Sequence, residues 1–391
     1  MTEKEYDVIV VGCGPAGSWC ARRLAENNIK TLVLDRNREI GAPKRCGEGL
    51  SESLEKKMRF KIPEYCISQK INGALIYAPN GKYVKITFGR GYILERKQFD
   101  KWLACEAAKK GAKIIANSYV NDVIKEDGKI SGVKADVFGE EIGIKSKIVV
   151  AADGAESMTA KRAGLSTVCS PTLVDSGLQY EMAGIDLRDE HEIEIFMGNE
   201  IASRGYVWIF PKGKNRANVG VGINGACITE AKQYLDRFID SRDELKKGSI
   251  VEVNGGCVPV GGFLKNMVLD GFLVVGDAAH QLNPLHGGGI SEAINAAEIA
   301  AGVIKKAFDK NDFSAKTLGE YNEIWWKERG NTLKKVERAR EVMEKLNDEQ
   351  LNKLQEILSG ENIYDIVHGN KIMLARVLMK FGLKNLANIL K

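Results

Sequence analysis

The sequence predicts an α/β fold: a Rossmann-like nucleotide-binding domain interleaved with a β-sheet domain, followed by a helical C-terminal region. Three observations predict it. An apolar run, Val8-Ile9-Val10-Val11, leads into Gly12-Cys13-Gly14-Pro15-Ala16-Gly17 and then a helix-like stretch, 18–25. A second apolar run, Thr31-Leu32-Val33-Leu34, ends in Asp35. Far along the chain, Phe272-Leu273-Val274-Val275 delivers Gly276-Asp277-Ala278-Ala279 and then Gly287-Gly288-Gly289.

The first segment has the strand–turn–helix context of a dinucleotide fingerprint. Gly12 permits the tight turn, Gly14 lets backbone approach a pyrophosphate, and Gly17 lets the helix pack on the strand. The helix N-terminus then faces the negative charge. Asp35 stands where an acceptor for a ribose 2′-OH is needed. An ordinary strand–helix turn is the bland alternative; strand, helix and acid in register favour a nucleotide.

The remaining elements follow in order. Residues 37–49 form a loop rich in glycine and charge. Alternating runs at 74–77 and 83–88, joined by Pro79-Asn80-Gly81, read as a hairpin. Residues 96–110 are a helix with Phe99, Trp102, Leu103 and Ala107 on one face. A short strand at 112–116 precedes two more that turn at Asp127-Gly128. Residues 147–152 read as a buried strand ending at Asp153-Gly154. Residues 174–260 are mostly strand, with a helix near 229–241. A helix at 290–307 follows the second glycine segment, and the tail from 314 is charged and helical. The expected division assigns 1–72, 96–173 and 261–310 to the nucleotide domain and 73–95 with 174–260 to the sheet domain. Residues 311–391 form the helical region.

Composition sets the bounds. A chain of 391 residues with 44% apolar and 28% charged residues supports two joined domains with a sizeable core. A net charge of +5 is too mild to argue for nucleic acid. The eight cysteines include no C-x-x-C pair, so no metal site is expected and a reducing, cytoplasmic setting is. No apolar run approaches the ~18 residues that a membrane span requires.

The second glycine segment adds a strand-end acid, Asp277, able to bond a ribityl hydroxyl, and a second helix N-terminus. The ordered set of GxGxxG, Asp35, Arg96 opening a helix, Asp153-Gly154 and Gly276-Asp277-Ala278-Ala279 resembles the FAD enzymes of the p-hydroxybenzoate hydroxylase superfamily. The resemblance spans roughly 5–310 and implies FAD held by Gly12, Gly14, Ala16, Gly17, Asp35 and Asp277. It also implies Arg96 near the pyrophosphate, Val120 backbone near the adenine, and Gly289-Ile290 beside the flavin ring.

That superfamily contains monooxygenases, halogenases, quinone-linked dehydrogenases and prenyl reductases, so fold alone does not choose the reaction. Two motifs do. Arg45-Cys46-Gly47-Glu48-Gly49 follows Asp35, and Tyr206-Val207-Trp208-Ile209-Phe210-Pro211-Lys212 is similar to the YxWxFPK signature of the geranylgeranyl reductase family. This resemblance implies reduction of isolated C=C bonds in geranylgeranyl chains of ether-linked glycerophospholipids. It places Cys46, Gly47 and Gly49 beside the flavin. Tyr206, Trp208 and Phe210 alternate and so share one strand face. They read either as a substrate wall or as an aromatic core stripe, and the accompanying Cys46 loop favours the wall.

Cys46 and Tyr206 are the candidate proton donors; Cys46 is equally well read as a small residue in a tight turn. His280 and His286 flank the second glycine segment and are more simply structural. Lys212 either meets a head-group phosphate or is solvated. An FAD monooxygenase and a non-catalytic flavin or lipid carrier are the rival functions. The expected partners are a geranylgeranyl lipid and an unidentified electron donor. Residues 371–391, with Lys371, Arg376, Lys380, Lys384 and Lys391 and no acid, read as a basic amphipathic helix. It either packs on the body or attaches the protein peripherally to the inner face of the cell membrane. Residues 334–356 are expected to be a solvated helical face.

Overall fold

The computed structural model describes residues 4–87 and 89–358, together with 363, 372, 373 and 376. Phe88 and nearly all of the stretch 371–391 lie outside the described residues, so the expected basic helix is not described.

The nucleotide sheet is parallel at its centre. Glu5–Val11 pairs with Thr31–Leu34 on one side and Glu140–Ala151 on the other, and Phe272–Val274 pairs with the latter. Lys113–Ile115 adds to the Thr31–Leu34 edge. Val8, Ile9, Val10, Leu32, Val33, Val149 and Val150 are all fully buried, as strands covered on both faces should be. Helix Pro15–Glu26 packs against Arg96–Lys109 and against Ile290–Lys310. It begins three residues before the expected stretch because Pro15 occupies its first turn, where a fixed φ and a missing N–H cost nothing. Glu140–Ala151 is longer than the expected strand because its first half pairs with Lys129–Val137, which pairs in turn with Ser118–Glu126.

The second large sheet has seven strands in the order Ser249–Val258, Asp175–Ala183, Arg216–Asn224, Tyr206–Pro211, Glu192–Met197, Gly73–Tyr77 and Tyr83–Ile86. One face is apolar: Val207, Ile209, Val219, Val221 and Phe196 pack beneath helix Ala231–Asp240 through Leu235 and Phe238. The opposite face is turned to the functional site. A third sheet of three strands, Gly49–Ser51, Gly91–Leu94 and Ile67–Ile71, lies between the two motifs in sequence.

Helices Asn331–Met343 and Asp348–Ile357 correct the expectation of a solvated face. Leu333, Val336 and Ala339 are buried at helical spacing, as are Leu351 and Leu354, and Leu346 is buried between the two helices. Charged residues between them hid this apolar stripe. No helix of the described residues is long and apolar enough to cross a membrane.

Candidate active site

A cavity of about 1630 Å³ is lined by both large sheets, both glycine segments and the two C-terminal helices. At its nucleotide end, Gly12 has φ +100° and a Cβ there would lie 2.3 Å from the Ala152 carbonyl oxygen. A Cβ on Gly17 would lie 1.9 Å from the Gly12 carbonyl oxygen, so that position tolerates only glycine. Gly14 differs: a Cβ there would meet nothing within 4 Å, and the residue lines the cavity. Backbone is thus bared toward a ligand at the start of helix Pro15–Glu26. Asp35 is buried and accepts from the backbone N–H of Cys13 at 2.7 Å and of Asn37 at 2.8 Å.

The second glycine segment meets the first. A Cβ on Gly276 would lie 3.0 Å from Ala16 Cβ. Gly289 leaves room for the Asp277 carboxylate, since a Cβ there would lie 2.9 Å from Oδ1. Among the described residues none donates a hydrogen bond to that carboxylate, and it lines the cavity. Burial raises its pKa, with the Arg96 charge opposing. Ile290, Val120 and Asp153 also line the cavity. The Val120 carbonyl accepts from Arg162 at 2.6 Å, and Asp153 Oδ2 accepts from the Thr159 N–H at 2.7 Å.

Arg96 is held by two parallel bonds to Asp100, Nε–Oδ1 and Nη2–Oδ2, both 2.9 Å. Burial works to lower its pKa, and Asp100, with the Cys46 sulfur also beside the guanidinium, raises it by more. The open Gly14 backbone, the bonded Arg96 and an Asp277 carboxylate that takes no hydrogen bond from the described residues together fit a dinucleotide's pyrophosphate and hydroxyls.

The two motifs that narrow the chemistry are joined through their charged members. Lys212 and Glu48 are fully buried and 2.7 Å apart, correcting both expectations for Lys212. Lys212 Nζ also reaches Glu95 at 3.1 Å and Glu181 at 3.2 Å. Lys44 bonds Glu48 at 3.2 Å and Glu181 at 2.5 Å, and Arg216 bonds Glu181 and Glu95 at 2.9 Å each. Asn218 donates to Glu48 at 2.7 Å and to the Gly47 carbonyl at 3.2 Å. The cations hold the Glu48 and Glu181 carboxyls below the usual range in spite of burial, Glu181 at about 2. Sequence reading missed this network because its members lie on five separate segments.

Register explains the rest of the face. Trp208 is opposite Ile195, which is opposite Ile76, which is opposite Val84. On its other side Trp208 is opposite Gly220, then Gln179, then Asn254. The Tyr206 row continues through Gly222, Gly177 and Gly256. Phe210 is followed by Asn218, Glu181 and Glu252. The aromatic strand therefore divides one sheet face into an apolar half and a half of glycine and polar residues. A Cβ on Gly220 would lie 2.3 Å from Trp208 Cζ2, so the indole lies across that glycine. Its Nε1 donates to Gln179 Oε1 at 2.8 Å, and Gln179 donates to the Cys46 carbonyl at 3.2 Å. Gly47 and Gly49 press on Phe210: a Cβ on either would lie 3.0 or 3.5 Å from its Cε2.

The candidate acids differ in their commitments. The Tyr206 hydroxyl donates to the His286 carbonyl at 2.8 Å. His280 is buried, with Nδ1 2.9 Å from the Gly262 carbonyl oxygen, and burial lowers its pKa. His286 Nδ1 accepts from the Gly288 N–H at 3.1 Å. Cys46 Sγ accepts from the Glu48 N–H at 3.1 Å and lines the cavity. Among the described residues no cluster of ligating side chains could hold a metal ion.

Comparison with known proteins places this geometry. Residues 174–258 match the geranylgeranyl reductase catalytic domain, and residues 1–156 match the Thi4 family. Digeranylgeranylglycerophospholipid reductase of Methanocaldococcus jannaschii is 41% identical over 363 residues, covering 92% of this chain and 91% of that protein. The crystal structure of a geranylgeranyl bacteriochlorophyll reductase-like protein from Thermoplasma acidophilum has a TM-score of 0.90 at 36% identity, covering 97% of this chain and all of that one. The FAD-dependent chondrochloren halogenase of a myxobacterium has a TM-score of 0.70 at 21% identity over 85% of this chain and 81% of its own, which shows a shared fold alone.

Proposed function

The chain belongs to the digeranylgeranylglycerophospholipid reductase family, and we propose that it performs that family's reaction by dividing one sheet face between cofactor and lipid. It is an FAD-dependent oxidoreductase that reduces isolated C=C bonds in the geranylgeranyl chains of ether-linked glycerophospholipids. FAD bound here in its reduced form would supply the hydride. The residues must supply the rest.

Gly12, Gly14, Ala16 and Gly17 present backbone to the pyrophosphate, with Arg96 as its counter-charge. Asp35 accepts from the ribose, Val120 backbone faces the adenine, and Asp277 accepts from the ribityl chain. Gly289, Ile290 and the Cys46–Gly47–Gly49 turn would hold the flavin ring. The isoprenoid chain lies on the apolar half, over Ile76, Val84 and Ile195, and gains about 0.8 kcal/mol per buried CH₂. The domain division expected from sequence is part of the same reading.

An electron-rich alkene takes a hydride only with a proton, and positive charge builds on its tertiary carbon. Tyr206, Trp208 and Phe210 border both halves, so their ring faces can stabilise that charge and exclude water. Cys46 is assigned as proton donor over Tyr206, whose hydroxyl proton is committed to the His286 carbonyl. Arg96 places a cation beside the sulfur from which the proton leaves. The observation that carries the reading is the aromatic strand with an apolar half on one side and the Cys46 turn on the other.

Anaerobic addition of geranylgeranyl lipid to the dithionite-reduced holoprotein tests it: the oxidised flavin absorbance returns. A flavin that stays reduced would identify a carrier. A bilayer substrate also favours peripheral membrane attachment from the cytoplasmic side, through residues 371–391. Liposome flotation should recover the full chain and lose a chain ending near residue 368; equal recovery would rule out the tail as the attachment.

A further inference from the structure

Asp175 begins strand Asp175–Ala183, lines the cavity, and takes no part in the assignments above. Among the described residues its buried Oδ1 has no hydrogen-bond partner. Among the described residues, the charged and titratable groups facing it are Arg340 and Glu344 from the C-terminal helix and Tyr206 from the aromatic strand. Arg340 Nη1 stands 3.9 Å away and makes its closer contact, 2.9 Å, with Glu344. Arg340 Nη2 is 3.4 Å from the Thr172 carbonyl oxygen. The carboxyl group of Asp175 is therefore not what holds Arg340 in place.

Resting on the reductase reading, we propose that Asp175 is the proton reservoir of the cavity, resupplying the proton that each reduction consumes. Each geranylgeranyl chain carries several double bonds, so successive reductions of one bound lipid need repeated proton delivery into a water-poor space. In each reduction the C=C π bond breaks and two C–H bonds form. The electron pair comes as hydride from reduced FAD, and the proton comes from the Cys46 S–H. The Asp175 O–H proton then passes along the cavity to the thiolate. The resulting carboxylate is stabilised by Arg340 until solvent reprotonates it. The electrostatics suit this cycle: burial and the Glu344 charge push Asp175 up to about 7, with Arg340 opposing. The group is thus part-protonated at neutral pH, and its charge is felt at Tyr206.

Infrared titration of the oxidised holoprotein without lipid should show a protonated-carboxyl C=O band that disappears near neutral pH and is absent in Asp175→Asn. Steady-state lipid reduction by wild type, which needs repeated resupply of the proton, should slow as pH rises through about 7, because the acid form is lost. Asp175→Asn should retain FAD, turn over about tenfold more slowly at pH 6, and lack that inflection. Asp175→Glu should restore an inflection. If Asp175→Asn fails to fold, Arg340→Gln takes its place and should move the wild-type band's titration upward. A band untouched by either substitution, a variant that keeps the wild-type pH profile, or a loss equal at every pH would overturn the proposal. Because the infrared readout needs no lipid, it separates failure here from failure of the reductase reading.

Discussion

Trp208 and Gln179 share a hydrogen bond of 2.8 Å, Nε1 to Oε1, and the other end of the Gln179 amide bonds the Cys46 carbonyl. One amide thus fixes the indole that borders the apolar half, proposed to hold lipid, and the turn that carries the proposed acid. Gln179→Leu keeps the volume and removes both bonds. It should lower turnover about tenfold through misorientation while the FAD-to-protein ratio stays at wild type. Stopped-flow reduction of lipid alongside the flavin absorbance checks this; unchanged turnover would show that the amide orients nothing.

Gly220→Ala tests the same indole from beneath. The added Cβ would lie 2.3 Å from Trp208 Cζ2, so the ring must leave its place. Overpacking of this kind costs about 1–3 kcal/mol. The variant should melt lower and lose activity, with FAD still bound. Wild-type activity would mean that the ring's position over Gly220 is not needed.

The Lys212–Glu48 pair is fully buried on both sides, so removing one partner strands a charge. Lys212→Met should cost about 3–5 kcal/mol in urea unfolding. Adding Glu48→Gln should recover a substantial part of it. A loss below about 1 kcal/mol would show that Lys44 and Asn218 alone satisfy Glu48.

The same network sets an acid limit. Glu181 is held at about 2 and Glu48 is lowered, in both cases by Lys212 and Lys44 working against burial. A depressed native pKa contributes stability that is complete above the unfolded carboxylate value and is lost as pH falls toward the native one. Thermal melts should therefore drop steeply between about pH 4.5 and 2, and less steeply in Glu181→Gln. Identical slopes in the two proteins would contradict the assignment.

Much of the nucleotide half was legible in the chain because its signals are local. Gly12, Gly14 and Gly17 stand within six residues of one turn and helix start, and Asp35 follows one strand later. The aromatic strand was equally plain, since period-two alternation over Tyr206, Trp208 and Phe210 is a local pattern. The three-stranded sheet of Gly49–Ser51, Ile67–Ile71 and Gly91–Leu94 was not expected, because its strands are short and their pairing is non-local. The Lys44–Glu48–Glu181–Lys212 network was invisible for a related reason: a buried charge looks like a solvated one until its partners meet. Val336 and Ala339 were hidden among the lysines and glutamates of a helix whose inner face closes the cavity.

The reaction assigned to this fold is reduction of isolated double bonds, rather than oxygenation or carriage of a ligand. Mass spectrometry of a digeranylgeranyl glycerophospholipid, incubated anaerobically with the dithionite-reduced holoprotein, tests it without intermediaries. The expected product is a lipid heavier by two hydrogens for every bond reduced. A lipid of unchanged mass would contradict the assignment.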